Sequence, residues 1–205
     1  MSKLFIAREA CSFGAHVVIR ELGLPIDVVR VPLRSAESPI HAVNPLGRVP
    51  ALQLDDGVVI TENSAILPYL ADLQPGTPLF APAGSAERAQ IQGWIGYIGT
   101  EIHAAGFRQV NRPERYSADP ATHDGIRQQS ARTLHAAVAH IDRHLQGRDW
   151  LVGDRFTIAD AYLGVFVRWI SRLGPDFAGF DALNRFREAY LARASVQAAL
   201  AAETE

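Results

Sequence analysis

The sequence predicts two differently built halves, an α/β domain of order βαβββα followed by an all-α helical domain. Three observations carry that expectation. Short β-branched runs alternate with helix-compatible segments near the N-terminus, the Pro- and Gly-rich stretch "QPGTPLFAPAGS" interrupts them, and the remainder of the chain repeats at helical spacing. The boundaries read as residues 1–76 for the first domain, 77–84 for a linker and 85–205 for the helical domain.

Taken in order, "KLFIA" suits a buried strand. The segment from Ser12 to Leu22 places Val17, Val18 and Leu22 in a helical pattern that Gly23 stops, and "PIDVVRVP" returns to β-branched alternation between two prolines. After "SAESPIHAVNP", the runs "VPALQL" and "VVIT" flank the turn residues "DDG" and predict a hairpin. A helix from Glu62 to Leu73 closes the domain, with Ala65, Ile66, Tyr69, Leu70 and Leu73 at helical spacing.

In the second half, "AERAQIQGWIGYIGTEIH" carries Ile91, Trp94, Ile95, Ile98 and Ile102 as one stripe, with Gln92, Gly96, Gly99 and His103 along another side. Each interior glycine costs about 1 kcal/mol relative to alanine, so a second helix or a ligand is expected to approach that backbone closely. Residues 124–146 predict an amphipathic helix ending at Gly147, with Leu134, Val138, Ile141 and Leu145 on one side. In "RFTIADAYLGVFVRWISRLGP", Thr157 and Asp160 form a capping-box pattern and the body is apolar nearly all round until Gly174 and Pro175. That helix belongs at the centre of a bundle. A last helical segment, residues 181–201, is expected to break near "RASV", with Ser195 capping the final turn.

Composition narrows the function. The 205 residues are 48% hydrophobic, enough for a sizeable core, and 20 Lys and Arg against 22 Asp and Glu leave a formal charge of −2. No basic run marks a nucleic-acid or anionic-membrane surface, so small molecules and proteins are the expected partners. One cysteine excludes an intrachain disulfide and is too few for a cysteine-based zinc site, which suits a reducing compartment. "MSKLFIAREA" has no signal-peptide pattern and no apolar run is long enough to span a bilayer, so a cytoplasmic location is expected.

In the order βαβββα, the loop after the first strand meets the first turn of a helix, where free N–H groups and the helix dipole favour an anion. Cys11 falls there. A thiol pKa lowered from about 8.5 to about 6.5 would raise its thiolate fraction at neutral pH from roughly 3% to roughly 75%. Equally, Cys11 is a small hydrophobe filling the corner, with Ser12 as the helix cap. In "NPLGRVPAL", either a cis peptide at Val49 and Pro50 leaves the Val49 backbone free for a ligand, or the proline simply opens a strand. Glu62, Asn63 and Ser64 stand at a strand-to-helix junction, where they either hold an amino acid's charged groups or cap the helix.

Cys11 with Ser12, then "NPLGRVPAL", "TENSAI" and "FTIADAYLGVFVRW", in that order along essentially the whole chain, resemble the soluble glutathione transferases, most closely their bacterial Beta class. The resemblance implies a thioredoxin-like N-terminal domain that binds glutathione as cosubstrate, a helical domain lining the second-substrate site, a homodimer, and no metal. It places Cys11 near the glutathione sulfur, where a mixed disulfide can form, with the Ser12 hydroxyl adjacent. It pairs the Val49 backbone with the cysteinyl unit, makes Pro50 a cis-proline and sets Glu62 with Asn63 at the γ-glutamyl end. His103 would reach this site from the helical domain, Glu101 would reach the glutathione of the partner subunit, and Phe166 and Trp169 would line the second-substrate pocket. Read without the resemblance, His103 fits a solvated or satisfied histidine, and Phe166 and Trp169 fit the core.

The chain departs from the family pattern at several points. "LFIA" has no tyrosine to assist the thiol, Asn63 replaces a usual serine or glycine, Gly96 replaces an asparagine, and Ala36 replaces a lysine for which Arg34 is the nearest substitute. The implied activity is conjugation of glutathione to hydrophobic electrophiles, as in detoxification, or thiol-disulfide exchange through Cys11, with a peroxidase activity also within reach. A dithiol cycle is excluded by the single cysteine. The alternatives are a glutathione-dependent dehalogenase, isomerase or lyase, or a non-catalytic interaction or regulatory protein of the same fold.

Overall fold

Alternation along the first strand decides the layers of the N-terminal half. In β1 (Lys3–Ile6), Leu4 and Ile6 enter the main core, while Phe5 joins Ala7, Val31, Ile40, Val49 and Ala51 in a smaller cluster. The computed structural model that shows this describes residues 1–173 and 177–204. β1 pairs in parallel with β2 (Asp27–Arg30) and antiparallel with β3 (Ala51–Gln53), setting Leu4 opposite Val28 and Leu52. β4 (Val59–Thr61) pairs antiparallel with β3, which completes the sheet order β2-β1-β3-β4. Helices α1 (Phe13–Leu22) and α2 (Asn63–Asp72) contribute Val17, Val18, Ile66 and Leu70 to the main core with Leu4. Gly23 ends α1 at φ 60°, where its N–H reaches the Arg20 carbonyl. The expected βαβββα order is present.

The second half is helical, as expected, but its first helix is not regular. α3 (Ala86–Tyr97) runs into a π-helical stretch (Ile98–Phe107) and then α4 (Arg108–Asn111). The close backbone approach expected at Gly96 and Gly99 is found instead at Gly106. A Cβ at Gly96 would meet nothing within 4 Å and one at Gly99 only the Tyr162 phenol at 3.9 Å, whereas one at Gly106 would stand 2.8 Å from Leu134 Cδ1. Leu134 belongs to α5 (His123–His144), which crosses at that point.

α6 (Ile158–Ile170) is the axis of the bundle, buried at every position from Ile158 to Val167. Its N-terminus is held by the expected capping box. The Thr157 N–H and hydroxyl both donate to Asp160 Oδ2 at 2.8 Å, and the Leu151 N–H donates to Oδ1 at 2.8 Å. Burial outweighs those bonds and pushes the Asp160 carboxyl up to about 6. Near the helix middle, the Tyr190 ring fills the space that a Cβ on Gly164 would need, and Gly14 of α1 lets the Ala161 carbonyl come within 3.2 Å of its own Cβ direction. The stop expected at Gly174 and Pro175 lies outside the described residues, and α6 closes earlier, at Ile170. α7 (Asp181–Leu191) and α8 (Ala194–Thr204) follow the expected break. Ser195 does not cap the last turn, because its hydroxyl donates to Glu21 of α1, the carboxylate that Arg193 also pairs with.

Candidate functional site

A cavity of about 1000 Å³ lies between the two halves. On its N-terminal wall the motifs that are scattered in sequence converge. The Val49–Pro50 peptide is cis, and the Cys11 thiol donates to the Val49 carbonyl at 3.4 Å. Asn63 Nδ2 donates to the Cys11 carbonyl at 3.0 Å, which ties the start of α2 to the β1–α1 loop. Asn63 Oδ1 is left buried without a hydrogen-bond partner. Glu62 sits at φ 67°, a conformation that costs a non-glycine residue about 1–3 kcal/mol, and its carboxylate makes no capping bond to α2. An uncapping carboxylate and an orphaned amide oxygen on one cavity wall suit a ligand's ammonium.

Of the two readings of Cys11, a thiol with a lowered pKa and a small apolar residue filling the corner, its surroundings favour the second. Burial pushes the thiol up to about 12, the nearby Glu62 carboxylate adds to the rise, and Arg108 opposes it. Desolvation outweighs the Arg108 charge and favours the neutral S–H.

The opposite wall comes from the helical half. His103, in the π-helical stretch, has Nδ1 3.4 Å from the Tyr162 hydroxyl and packs near Phe166 and Trp169, at centroid distances of 5.2 and 6.1 Å. Burial, then the positive charges of Arg108 and Arg48, lower its pKa to about 4, so the imidazole is neutral at pH 7. Burial likewise holds the Tyr162 phenol well above its usual range.

Of the residues read from sequence, Cys11, Val49, Pro50, Glu62, Asn63, His103 and Trp169 meet on this cavity. Ser12 does not. It is fully buried, and its Oγ accepts from the Ala7 N–H at 3.2 Å, so it neither caps α1 nor faces the cavity. Phe166 lies behind the wall, fully buried among Phe107, Tyr162 and Trp169. Glu101 and Gly96 are also off the cavity, whereas Ala36 and Arg34 line it. Tyr162, Phe107 and the arginines of "RQVNRPER" were not singled out by sequence reasoning. A lone phenol within an apolar helix, and three arginines in eight residues with one carboxylate between them, were the available signals.

The C-terminal helix braces the N-terminal wall. Glu203 accepts from the Glu9 N–H at 3.3 Å and pairs with Arg168 at 3.1 Å, while Arg172 pairs with the Glu9 carboxylate at 2.9 Å. Glu9 has φ 54° in the loop that presents Cys11. The strained loop is thus tied down from the far end of the chain.

The halves correspond to two family models, the N-terminal domain of glutathione S-transferase over residues 10–73 and its C-terminal domain over 124–190. Glutathione S-transferase GST-4.5 of Xanthomonas campestris pv. campestris is 38% identical over 98% of both chains. A sphingomonad glutathione S-transferase in complex with glutathione superposes with a TM-score of 0.88 at 36% identity over 98% of each chain. The bacterial beta-class enzyme of Sphingomonas chungbukensis gives 0.87 at 33% identity, again over 98% of each. The chain belongs to the glutathione S-transferase family, and beta-class enzymes stand among its structural neighbours.

Proposed function

We propose that this protein binds glutathione in the cavity between its halves and activates the glutathione sulfur as a thiolate for attack on an electrophilic second substrate. The observation that carries the reading is the convergence of Cys11, the Val49–Pro50 turn, Glu62 and Asn63 on one wall, opposite His103 and Tyr162. The Val49 main chain pairs with the cysteinyl unit, Glu62 and the orphaned Asn63 Oδ1 take the γ-glutamyl ammonium, and Arg34 takes the glycyl carboxylate in place of the missing lysine. The relative solved in complex with glutathione supports the choice of ligand. Glu101, off the cavity of its own protomer, completes the partner subunit's site in a homodimer.

In this mechanism the glutathione thiol loses its proton to solvent. The sulfur then forms a carbon–sulfur bond while the leaving group departs with the electron pair of the bond that breaks. The Cys11 S–H turns from the Val49 carbonyl to donate to the thiolate. In the tautomer with its proton on Nε2, His103 accepts from the Tyr162 hydroxyl at Nδ1 and offers a neutral N–H to the same sulfur. A thiol held near 12 is a poor nucleophile at neutral pH, which sets conjugation ahead of a redox route through Cys11.

The test joins calorimetric titration with glutathione, turnover of 1-chloro-2,4-dinitrobenzene, and intact-mass measurement after incubation with oxidised glutathione, using Cys11→Ala as control. Glutathione binding and conjugate formation that survive in Cys11→Ala at reduced rate are expected. A glutathione adduct on Cys11, with disulfide-reducing activity abolished by Cys11→Ala, would put the redox route first. No binding at millimolar glutathione would return the protein to a non-catalytic role.

A further inference from the structure

We infer that the second-substrate side of the cavity is built for an electrophile that carries a carboxylate, an inference that rests on the glutathione reading. Its basis is the distribution of charge around one cavity. The helical half contributes Arg108, Arg112, Arg115 and Arg172 and the N-terminal half Arg8, Arg34 and Arg48, against the carboxylates of Glu9 and Glu62 among the described lining residues. The chain as a whole is slightly acidic, so this concentration is local rather than a reflection of composition.

Internal pairing leaves part of that charge uncompensated. Arg172 is paired with Glu9 at 2.9 Å and Arg112 with Glu114 at 3.3 Å, but Arg48, Arg108 and Arg115 have no ion pair among the described residues. They come from both sides of the cleft and feel one another. Burial and then the charges of Arg48, Arg112 and Arg108 make the Arg115 guanidinium less basic, and Arg108 and Arg48 both act on His103. Like charges gathered this way are relieved by a bound anion, and the planar guanidinium fork matches a carboxylate in two parallel hydrogen bonds. In the proposed binding mode Arg34 meets the glycyl carboxylate of glutathione and the first turn of α2 its γ-glutamyl carboxylate, which leaves this group for the second substrate. Beside the arginines, Phe107, Trp169 and Leu173 supply apolar cavity wall, with the two aromatic rings edge to face at 5.2 Å. Apolar floor and cationic rim together select an amphiphilic acid over a neutral hydrophobe.

Two synthetic conjugates test this directly, S-(4-carboxy-2,6-dinitrophenyl)glutathione and its methyl ester, each titrated calorimetrically into the full chain. They share every group except the aryl carboxyl, which is anionic in the acid and neutral and one methyl larger in the ester. The free acid is expected to bind about tenfold more tightly than the ester, and the preference to shrink as salt is added. In the doubly substituted R48Q/R115Q protein the preference should fall to within about threefold, and R48K/R115K should restore much of it. Arg108 is left in place because it acts on the Cys11 thiol. Equal affinities for acid and ester, or a preference unchanged in R48Q/R115Q, overturn the inference while glutathione binding persists. If neither conjugate nor glutathione itself binds, the glutathione reading fails first.

Discussion

The two walls of the cavity are made by opposite means. The N-terminal wall is built from turns: Cys11, Val49, Pro50, Glu62 and Asn63 sit at strand and helix ends and are tied to one another by a few hydrogen bonds between segments distant in sequence. The helical wall is remote chemistry, in which His103, Tyr162, Trp169 and the arginines reach the cleft only because α6 and the π-helical stretch pack where they do. A turn specifies its own residues, whereas a helix in a bundle acquires a functional face from its neighbours. Changes in the first wall should therefore act on glutathione affinity with little cost in stability, and changes in the second on stability and the second substrate.

Gly164→Ala should break the helical wall most severely. A methyl there collides with the buried Tyr190 ring, and a loss of more than about 3 kcal/mol in denaturant unfolding is expected. A loss under about 1 kcal/mol would mean that Tyr190 is free to move away. Glu62→Ala should do the reverse, weakening glutathione binding about a hundredfold by calorimetry while the unfolding midpoint barely moves. If the two effects are comparable, the N-terminal wall is less local than its turns imply.

Glu203→Ala tests the brace between the walls. It strands the Arg168 guanidinium and the Glu9 N–H, so about 2 kcal/mol of stability should be lost, together with faster hydrogen exchange in the Cys11 loop. Unchanged exchange at residues 8–11 would separate α8 from the site.

The smallest effect sharpens the comparison at Cys11. Because the raised pKa favours the protonated form, alkylation of Cys11 in the ligand-free protein should be slow at pH 7 and climb about tenfold per pH unit beyond pH 9. A plateau between pH 6 and 8 would show that the helix N-terminus wins after all. His103 gives no competing inflection in that range, since its imidazole protonates only near pH 4.

Much of the fold was legible. Period-two runs, "DDG", Gly23 and the Thr157–Asp160 box announce strands, turns and helix ends through contacts within a few residues. The irregular winding after Tyr97 was not, because the pattern of Ile91, Ile95, Ile98 and Ile102 suits a regular α-helix. The choice between a cap and a ligand group at Glu62 was equally open in the sequence. The structure favours the ligand reading, because Glu62 at φ 67° makes no capping bond to the helix it precedes.

By itself the sequence determined the family and the two-part plan, which follow from residue order and local conformation, and it named most of the residues on the N-terminal wall without fixing their roles. Tertiary structure alone decided the burial that raises the Cys11 pKa, the withdrawal of Ser12 and Phe166 from the cavity, and the arrival of Tyr162, Arg48, Arg108 and Arg115. Those outcomes come from burial and from charges brought together across the cleft, and neither quantity exists until the chain has packed.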